Sequence, residues 1–118
     1  MSSSVCAHCL LLTKETIRHY KYNKIIMRRA ADIRDTVCRE LERCDFSCEK
    51  QTKYVCRLDD YDPIYRFGTQ FHDKSRIHMD LVQQLQYFFP DSKITVEERE
   101  QINGFTVTHQ TYIEVDWS

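Results

Sequence analysis

KITVEEREQINGFTVTHQTYIEVDW, residues 93–117, is the stretch that decides the fold of this chain. Asn103 and Gly104 lie at its middle, between two alternating runs. Asn-Gly in that setting is the strongest short-range signal of a β-hairpin, because both central residues of a type I′ turn need a positive φ. Such a turn places Ile102 opposite Phe105, with one face of the hairpin mostly apolar and the other polar. The sequence therefore predicts two paired strands that need a cover on one side.

The mostly apolar face of the predicted hairpin also holds polar side chains. Ile94, Val96, Val107 and Ile113 are expected to point at the covering layer, and they share their face with Glu98, Glu100, His109 and Thr111. In the predicted register Glu98 lies directly opposite His109, and a carboxylate beside an imidazole can do general acid–base work. No nucleophile, second acid–base pair or oxyanion device is visible near the pair in the sequence. Structural pairing, at the rim where the cover stops, is the alternative.

Two amphipathic helices are predicted to supply the cover. Apolar residues recur at three- and four-residue steps from residue 24 to residue 44, with Thr13 as a candidate N-cap and Asn23 as the expected break if residues 14–23 form a separate turn. A second helix begins after Asp73 and ends before Pro90. Residues 52–58 alternate as a strand, residues 64–71 are a candidate edge strand, and residues 5–12 are either an edge strand or a turn.

These elements predict a single α+β domain over residues 1–118. Two helices pack on one face of a three- to four-stranded sheet, in the order (β)-α-β-α-β-β, and the chain ends in a hairpin. If residues 5–12 join the sheet, this order resembles the Alba-like nucleic-acid-binding fold. The join FFPDSKITVEE, residues 88–98, is similar in style to that family's passage from second helix to hairpin. That family's hairpin is long and basic, whereas this one sets Lys93 and Arg99 against three glutamates, so the resemblance concerns the fold alone.

Composition excludes several classes of protein. The chain has two glycines, Gly68 and Gly104, too few and too far apart for a loop that cradles a phosphate. No run approaches the roughly 20 apolar residues of a membrane span, and no basic region precedes the apolar patch near the start. We therefore expect a cytoplasmic or nuclear protein, in which the six cysteines are free thiols or metal ligands.

A zinc site is the metal hypothesis. Cys6 and Cys9 form one close pair, and Cys44 and Cys48 form another. Two close pairs of thiolates suit tetrahedral zinc. The alternative is a set of ordinary core cysteines, since Cys44 and Cys48 also fit the apolar patterns of their segments.

A segregated basic segment is the second candidate site. Residues 14–29 contain six Lys or Arg and one Glu, a net +5, so the rest of the chain carries −6 within the total of −1. Cations interleaved with tyrosines suit phosphate contacts and base stacking. The alternative is a solvated face or one docked on an acidic partner. The nucleic-acid candidates are Lys14, Arg18, Lys21, Lys24, Arg28 and Arg29.

The third candidate is a surplus of aromatic side chains, which favours a protein interface. The partner-binding candidates are Tyr61, Tyr65, Phe67, Tyr112 and Trp117, and the alternative is simple packing under the loop at residues 59–72. We therefore expect a non-enzymatic accessory subunit of a larger intracellular assembly, binding protein partners or itself through the hairpin edge and these aromatics. The alternative is a nucleic-acid-binding protein that uses residues 14–29, and an enzyme using Glu98 and His109 ranks third.

Overall fold

The computed structural model describes residues 12–43 and 51–118 and confirms the predicted α+β class. Three helices lie on one face of a three-stranded antiparallel sheet of order β1-β3-β2, whose last two strands form the C-terminal hairpin. Residues 5–11 and the arm expected before residue 51 lie outside the described residues. The elements are α1 (Lys14–Arg43), β1 (Lys53–Leu58), α2 (Pro63–Gly68), α3 (Lys74–Phe88), β2 (Lys93–Asn103) and β3 (Thr106–Asp116).

The hairpin forms, but its turn is one residue later than predicted. Asn103 pairs with Thr106, so Gly104 and Phe105 make the turn. Gly104 has φ +62°, and none of the described non-glycine residues has a positive φ, which is the pattern of a type II′ turn. The predicted type I′ turn and its register are therefore wrong. Each residue of β2 is opposite a residue of β3 that lies two positions after the predicted one. Since side chains alternate with a period of two, the composition of the two faces is unchanged.

The core is built on β3, the middle strand. Ile113 and Val115 are fully buried between the sheet and the helices, and Ile94 of β2 lies beside them. The two long helices contribute buried side chains at three- and four-residue steps: Tyr22, Ile26, Ala30 and Ile33 from α1, and Ile77, Leu81 and Leu85 from α3. Val107 was predicted to face the same layer, but it lies beyond the helices and is exposed.

Helix α1 runs without a break through Asn23. Thr13 caps it as predicted, because its Oγ1 accepts a hydrogen bond from the Thr16 amide at 3.1 Å. The helix continues because Tyr22 extends the buried stripe one turn before Ile26. Its other end differs from the prediction, since Leu41 is exposed rather than part of that stripe.

A short helix, α2, replaces the predicted edge strand at residues 64–71. Asp62 caps it by accepting a hydrogen bond from the Ile64 amide at 3.2 Å, and Pro63 occupies the first turn, where a missing N–H costs nothing. Asp62 is buried and forms an ion pair with Arg29 of α1, with Nε and Oδ2 2.9 Å apart. Helix α3 begins and ends as predicted, with its Arg76 amide bonded to Asp73.

Replacing Arg29 with Ala is expected to lower the free energy of unfolding by about 3 kcal/mol, because it leaves the buried Asp62 carboxylate without its counter-charge. Arg28→Ala is the matched control, because it removes an exposed neighbouring arginine and should change stability by no more than about 0.5 kcal/mol. Urea denaturation of both variants measures the difference. Equal effects would mean that the ion pair contributes little to folding.

Candidate functional site

An open apolar groove runs between the N-terminal half of α1 and the segment from α2 to Phe71. It encloses about 1510 Å³, more than the roughly 300–1,000 Å³ typical of small-molecule sites, so it has room for a stretch of polypeptide. Five of the thirteen exposed large apolar side chains among the described residues line it: Leu12, Ile17, Tyr20, Met27 and Phe67. A contiguous apolar surface of this kind marks an interaction site.

The groove is basic as well as apolar. Lys21, Lys24 and Arg28 line it, and among residues 12–43 and 51–118 no Asp or Glu does. Within the described residues none of these three cations forms a salt bridge. Lys24 Nζ lies 5.9 Å from the centroid of the Tyr20 ring. The groove therefore presents positive charge that an acidic partner can neutralise.

The other predicted nucleic-acid candidates are placed differently. Arg29 is held in an ion pair by the buried Asp62, so its guanidinium already has an acidic partner, and its role as a phosphate contact stays a prediction. Burial disfavours its charged form, but the Asp62 carboxylate, helped by the Cys56 thiol, outweighs burial and raises the pKa of Arg29 above its ordinary value. The guanidinium carbon Cζ of Arg18 lies 5.5 Å from the centroid of the Phe71 ring. Lys14 is exposed at the start of α1, away from the groove lining.

The far half of the hairpin, residues 97–109, projects from the domain, and we call it the hairpin arm. Every residue of the arm is exposed, and β1 pairs with β3 only from Thr111 onward. At about 3.3 Å per residue, the arm extends roughly 20 Å beyond the body. Ile102 and Val107 lie directly opposite each other and are 69% and 51% exposed, and the Phe105 ring at the turn is fully exposed.

The arm also carries the predicted acid–base residues, but they pair differently. Glu100, not Glu98, lies opposite His109, with Oε1 and Nδ1 3.9 Å apart, and Glu98 lies opposite Thr111. The predicted Glu98–His109 pair is therefore wrong. Both Glu100 and His109 are well exposed, and an exposed pair of this kind contributes little to stability. Glu98 and Glu100 lie on the same face as Ile102, so this face is acidic between the body of the domain and the apolar end of the arm.

At the base of the arm, polar side chains close the end of the core. The Tyr65 Oη and His78 Nε2 atoms lie 2.6 Å apart. Tyr65 is 5% exposed, so its prediction as an exposed partner-binding aromatic is wrong. Burial raises the pKa of Tyr65 to about 12 and lowers the pKa of His78, although the Glu98 charge acts in the opposite direction on the histidine. The contact with Tyr65 gives the His78 imidazole a hydrogen-bond partner at the edge of the core.

A second buried polar contact was missed at the sequence level. Tyr22 Oη donates a hydrogen bond to Asp80 Oδ2 at 2.5 Å, and Asp80 also pairs with Arg76. Burial, with the adjacent Asp80 carboxylate, raises the pKa of Tyr22. The available signal was the spacing of Tyr22, four residues before Ile26 on the buried stripe. The contact ties α1 to α3 below the groove.

The remaining predicted aromatics are distributed over the surface. Phe67 lines the groove, whereas Tyr61 is exposed in the loop before α2. Tyr112 lies on the open face of the sheet with the Arg99 guanidinium 4.4 Å from its ring centroid. Trp117 is half-buried and donates its indole N–H to the Gln51 carbonyl at 3.0 Å. The structure therefore brings only Phe67 of this set to the groove.

The zinc hypothesis falls on Cys6, Cys9, Cys44 and Cys48, which all lie outside the described residues. Within residues 12–43 and 51–118, no three His, Cys, Asp or Glu side chains are grouped so that they could hold a metal ion. None of the helices in the same part of the chain is long and apolar enough to cross a bilayer.

Compared with known proteins, the chain matches no family model, no curated protein and no solved structure. The resemblance to the Alba-like fold rests on the order of the elements and on the 88–98 join. That order needs a first strand at residues 5–12, nearly all of which lies outside the described residues. Function therefore has to follow from the chain's own surface.

The lowered pKa of His78 makes a component of stability depend on pH. At a pH between the folded and the unfolded pKa of His78, the unfolded chain binds more protons than the folded chain. The stability that depends on a neutral His78 is therefore fully present above about pH 6.5, and it is lost as the pH falls through the pKa of His78 in the folded protein. We expect the free energy of unfolding to fall more steeply from pH 7.5 to pH 5 in the wild type than in His78→Gln. Urea denaturation at each pH measures this, and parallel curves would contradict it.

Proposed function

We propose that this protein is a non-catalytic interaction subunit of an intracellular assembly, and that it binds a protein partner through the groove between α1 and α2. The observation that carries the proposal is that one groove combines exposed apolar side chains with cations that form no salt bridge and meet no acidic lining residue in the part of the chain that the structure describes. A partner that fits it presents a few apolar side chains flanked by Asp or Glu. Electrostatic complementarity of this kind favours the right partner and speeds its encounter.

The aliphatic part of the lining favours protein over nucleic acid. Leu12, Ile17 and Met27 are exposed there and can bury only against other apolar groups. Full burial of such a side chain contributes about 1.5–3 kcal/mol, which a phosphate backbone cannot supply. The loss of Arg29 to its ion pair also reduces the charge available for phosphates.

The function is tested by capture of partners from cells of the source organism with two matched variants. Met27→Glu places a charge in the groove, whereas Met79→Glu places one on α3 at a methionine that is similarly exposed, 66% against 53%. We expect Met27→Glu to lose at least one protein that the wild type and Met79→Glu both retain. A retained protein is then purified and titrated against all three chains by calorimetry.

The expected result is binding at least about tenfold weaker to Met27→Glu, since an unpaired charge is placed against an apolar surface. Identical capture and identical affinity for all three chains would overturn the groove as the binding site. Circular dichroism confirms that each variant is folded before the comparison.

Nucleic-acid binding is the second candidate, and one observation favours it. Tyr20 is 67% exposed and has Lys24 over its ring, an arrangement in which a base can stack while the cation meets a phosphate.

If Lys21, Lys24 and Arg28 each neutralise one phosphate, the logarithm of the affinity for a duplex should fall with the logarithm of salt concentration at a slope of about −3. Fluorescence anisotropy with a labelled oligonucleotide measures it. Replacing all three cations with Glu should abolish binding, whereas Arg43→Glu with Arg57→Glu should not. A flat salt response would exclude this candidate.

A further inference from the structure

We propose that the occupant of the groove is the hairpin arm of a second copy of this chain. The inference rests on the proposed function and names its partner. The arm presents the complement of the groove, namely exposed apolar side chains at its end with carboxylates behind them. Both surfaces belong to the described residues, and the arm projects away from the body that carries the groove.

The apolar match follows from the alternation of the hairpin. Ile102 and Val107 lie on the same face as Ile94 and Ile113, which α1 and α3 cover in the body of the domain. The arm therefore repeats the pattern of a helix-covered sheet in a place where the described helices of its own chain do not reach. A helical surface from elsewhere has to supply the cover, and α1 beside α2 in another copy is such a surface. Phe105 extends this apolar end at the turn.

The charges match as well. Glu98 and Glu100 share the face of Ile102, while Arg99 points to the opposite face, where it pairs with Glu97 at 3.0 Å. The face that meets the groove is therefore acidic, and the groove carries Lys21, Lys24 and Arg28. Opposite charges at the rim of the contact favour this pairing over other orientations.

Contact through the face is favoured over pairing through the edge of β2. The outer strand β2 carries consecutive charged residues from Glu97 to Glu100 along its exposed half. Charged side chains on an edge strand oppose addition of another strand. The arm and the groove are different surfaces of one chain, so a single contact between two copies leaves one arm and one groove unoccupied. Two copies that each place their arm in the groove of the other form a closed dimer.

The test uses the full chain and measures mass by light scattering after gel filtration over a range of concentrations. The wild type and Met79→Glu are expected to be dimers. Phe105→Asp removes the apolar end of the arm and Met27→Glu blocks the groove, so each variant alone should be monomeric. An equimolar mixture should form a 1:1 dimer, because one variant keeps an intact groove and the other an intact arm.

A charge exchange gives a second readout that does not depend on apolar side chains. Lys21→Glu with Lys24→Glu, and separately Glu98→Lys with Glu100→Lys, should each raise the dimer dissociation constant about tenfold or more. All four substitutions in one chain should bring it back toward the wild-type value. A dimer unaffected by the two exchanges would place the contact elsewhere.

Two results would overturn the proposal. A wild-type monomer at every concentration would mean that the groove has another occupant, such as a different protein or the apolar residues that precede Leu12. A mixture of the Phe105 and Met27 variants that stays monomeric, while the wild type is a dimer, would mean that the copies meet through another surface. The proposed function survives either result if a captured protein still binds the wild type and not Met27→Glu, so the two failures are distinguishable.

Discussion

Strands β2 and β3 each run for 11 residues, about 36 Å, whereas α3 has 15 residues and is about 22 Å long. Helix α3 can therefore cover only part of the hairpin that it packs on. Where the helices cover the hairpin, Ile113 and Val115 are fully buried and fix the position of every other element. In the part of the hairpin that is not covered, apolar and polar side chains continue to alternate, but both faces are exposed to solvent. The core and the hairpin arm are two outcomes of one pattern.

The groove arises from a similar difference in length, between α1 and α2. Helix α1 has 30 residues, about 45 Å, while α2 beside it has only 6. The buried stripe from Tyr22 to Val37 is used against α3 and the sheet, and the flank that holds Ile17 and Met27 is left beside the short α2. The ion pair between Arg29 and Asp62 fixes α2 against α1, so it sets the width of the groove without contributing to its free charge.

Much of the fold could be predicted from local pattern, because alternation and helical periodicity report burial directly. The faces of the hairpin were correct although its turn was not, since a shift of two residues preserves the side on which Ile94 and Val96 lie. Local sequence does not separate Asn-Gly from Gly-Phe as the central pair when both contain the same glycine. The same shift changes which side chains meet, so the predicted pairing of Glu98 with His109 was lost.

The site was harder to predict because its features depend on distant residues. Arg29 could not be separated from its basic neighbours, since Asp62 is 33 residues away. The helix α2 was missed, although Asp62 followed by Pro63 is a start signal, because the acidic residues before it resembled a loop. Tyr65 was misplaced for the same reason, since a residue on an unrecognised helix has no predicted inner face. The groove itself required the packing of α2 on α1, which no single segment encodes.

The hairpin arm packs against no helix of its own chain in the described residues, and this frees its sequence from the demands of folding. Substitutions at Ile102, Phe105 and Val107 remove no core contact, so we expect them to cost little stability, and in the proposed pairing they would change recognition. A duplicated gene could therefore alter its arm and its groove in step. The two descendants would then recognise each other and no longer themselves, and a self-associating protein would become an obligate pair of unlike subunits.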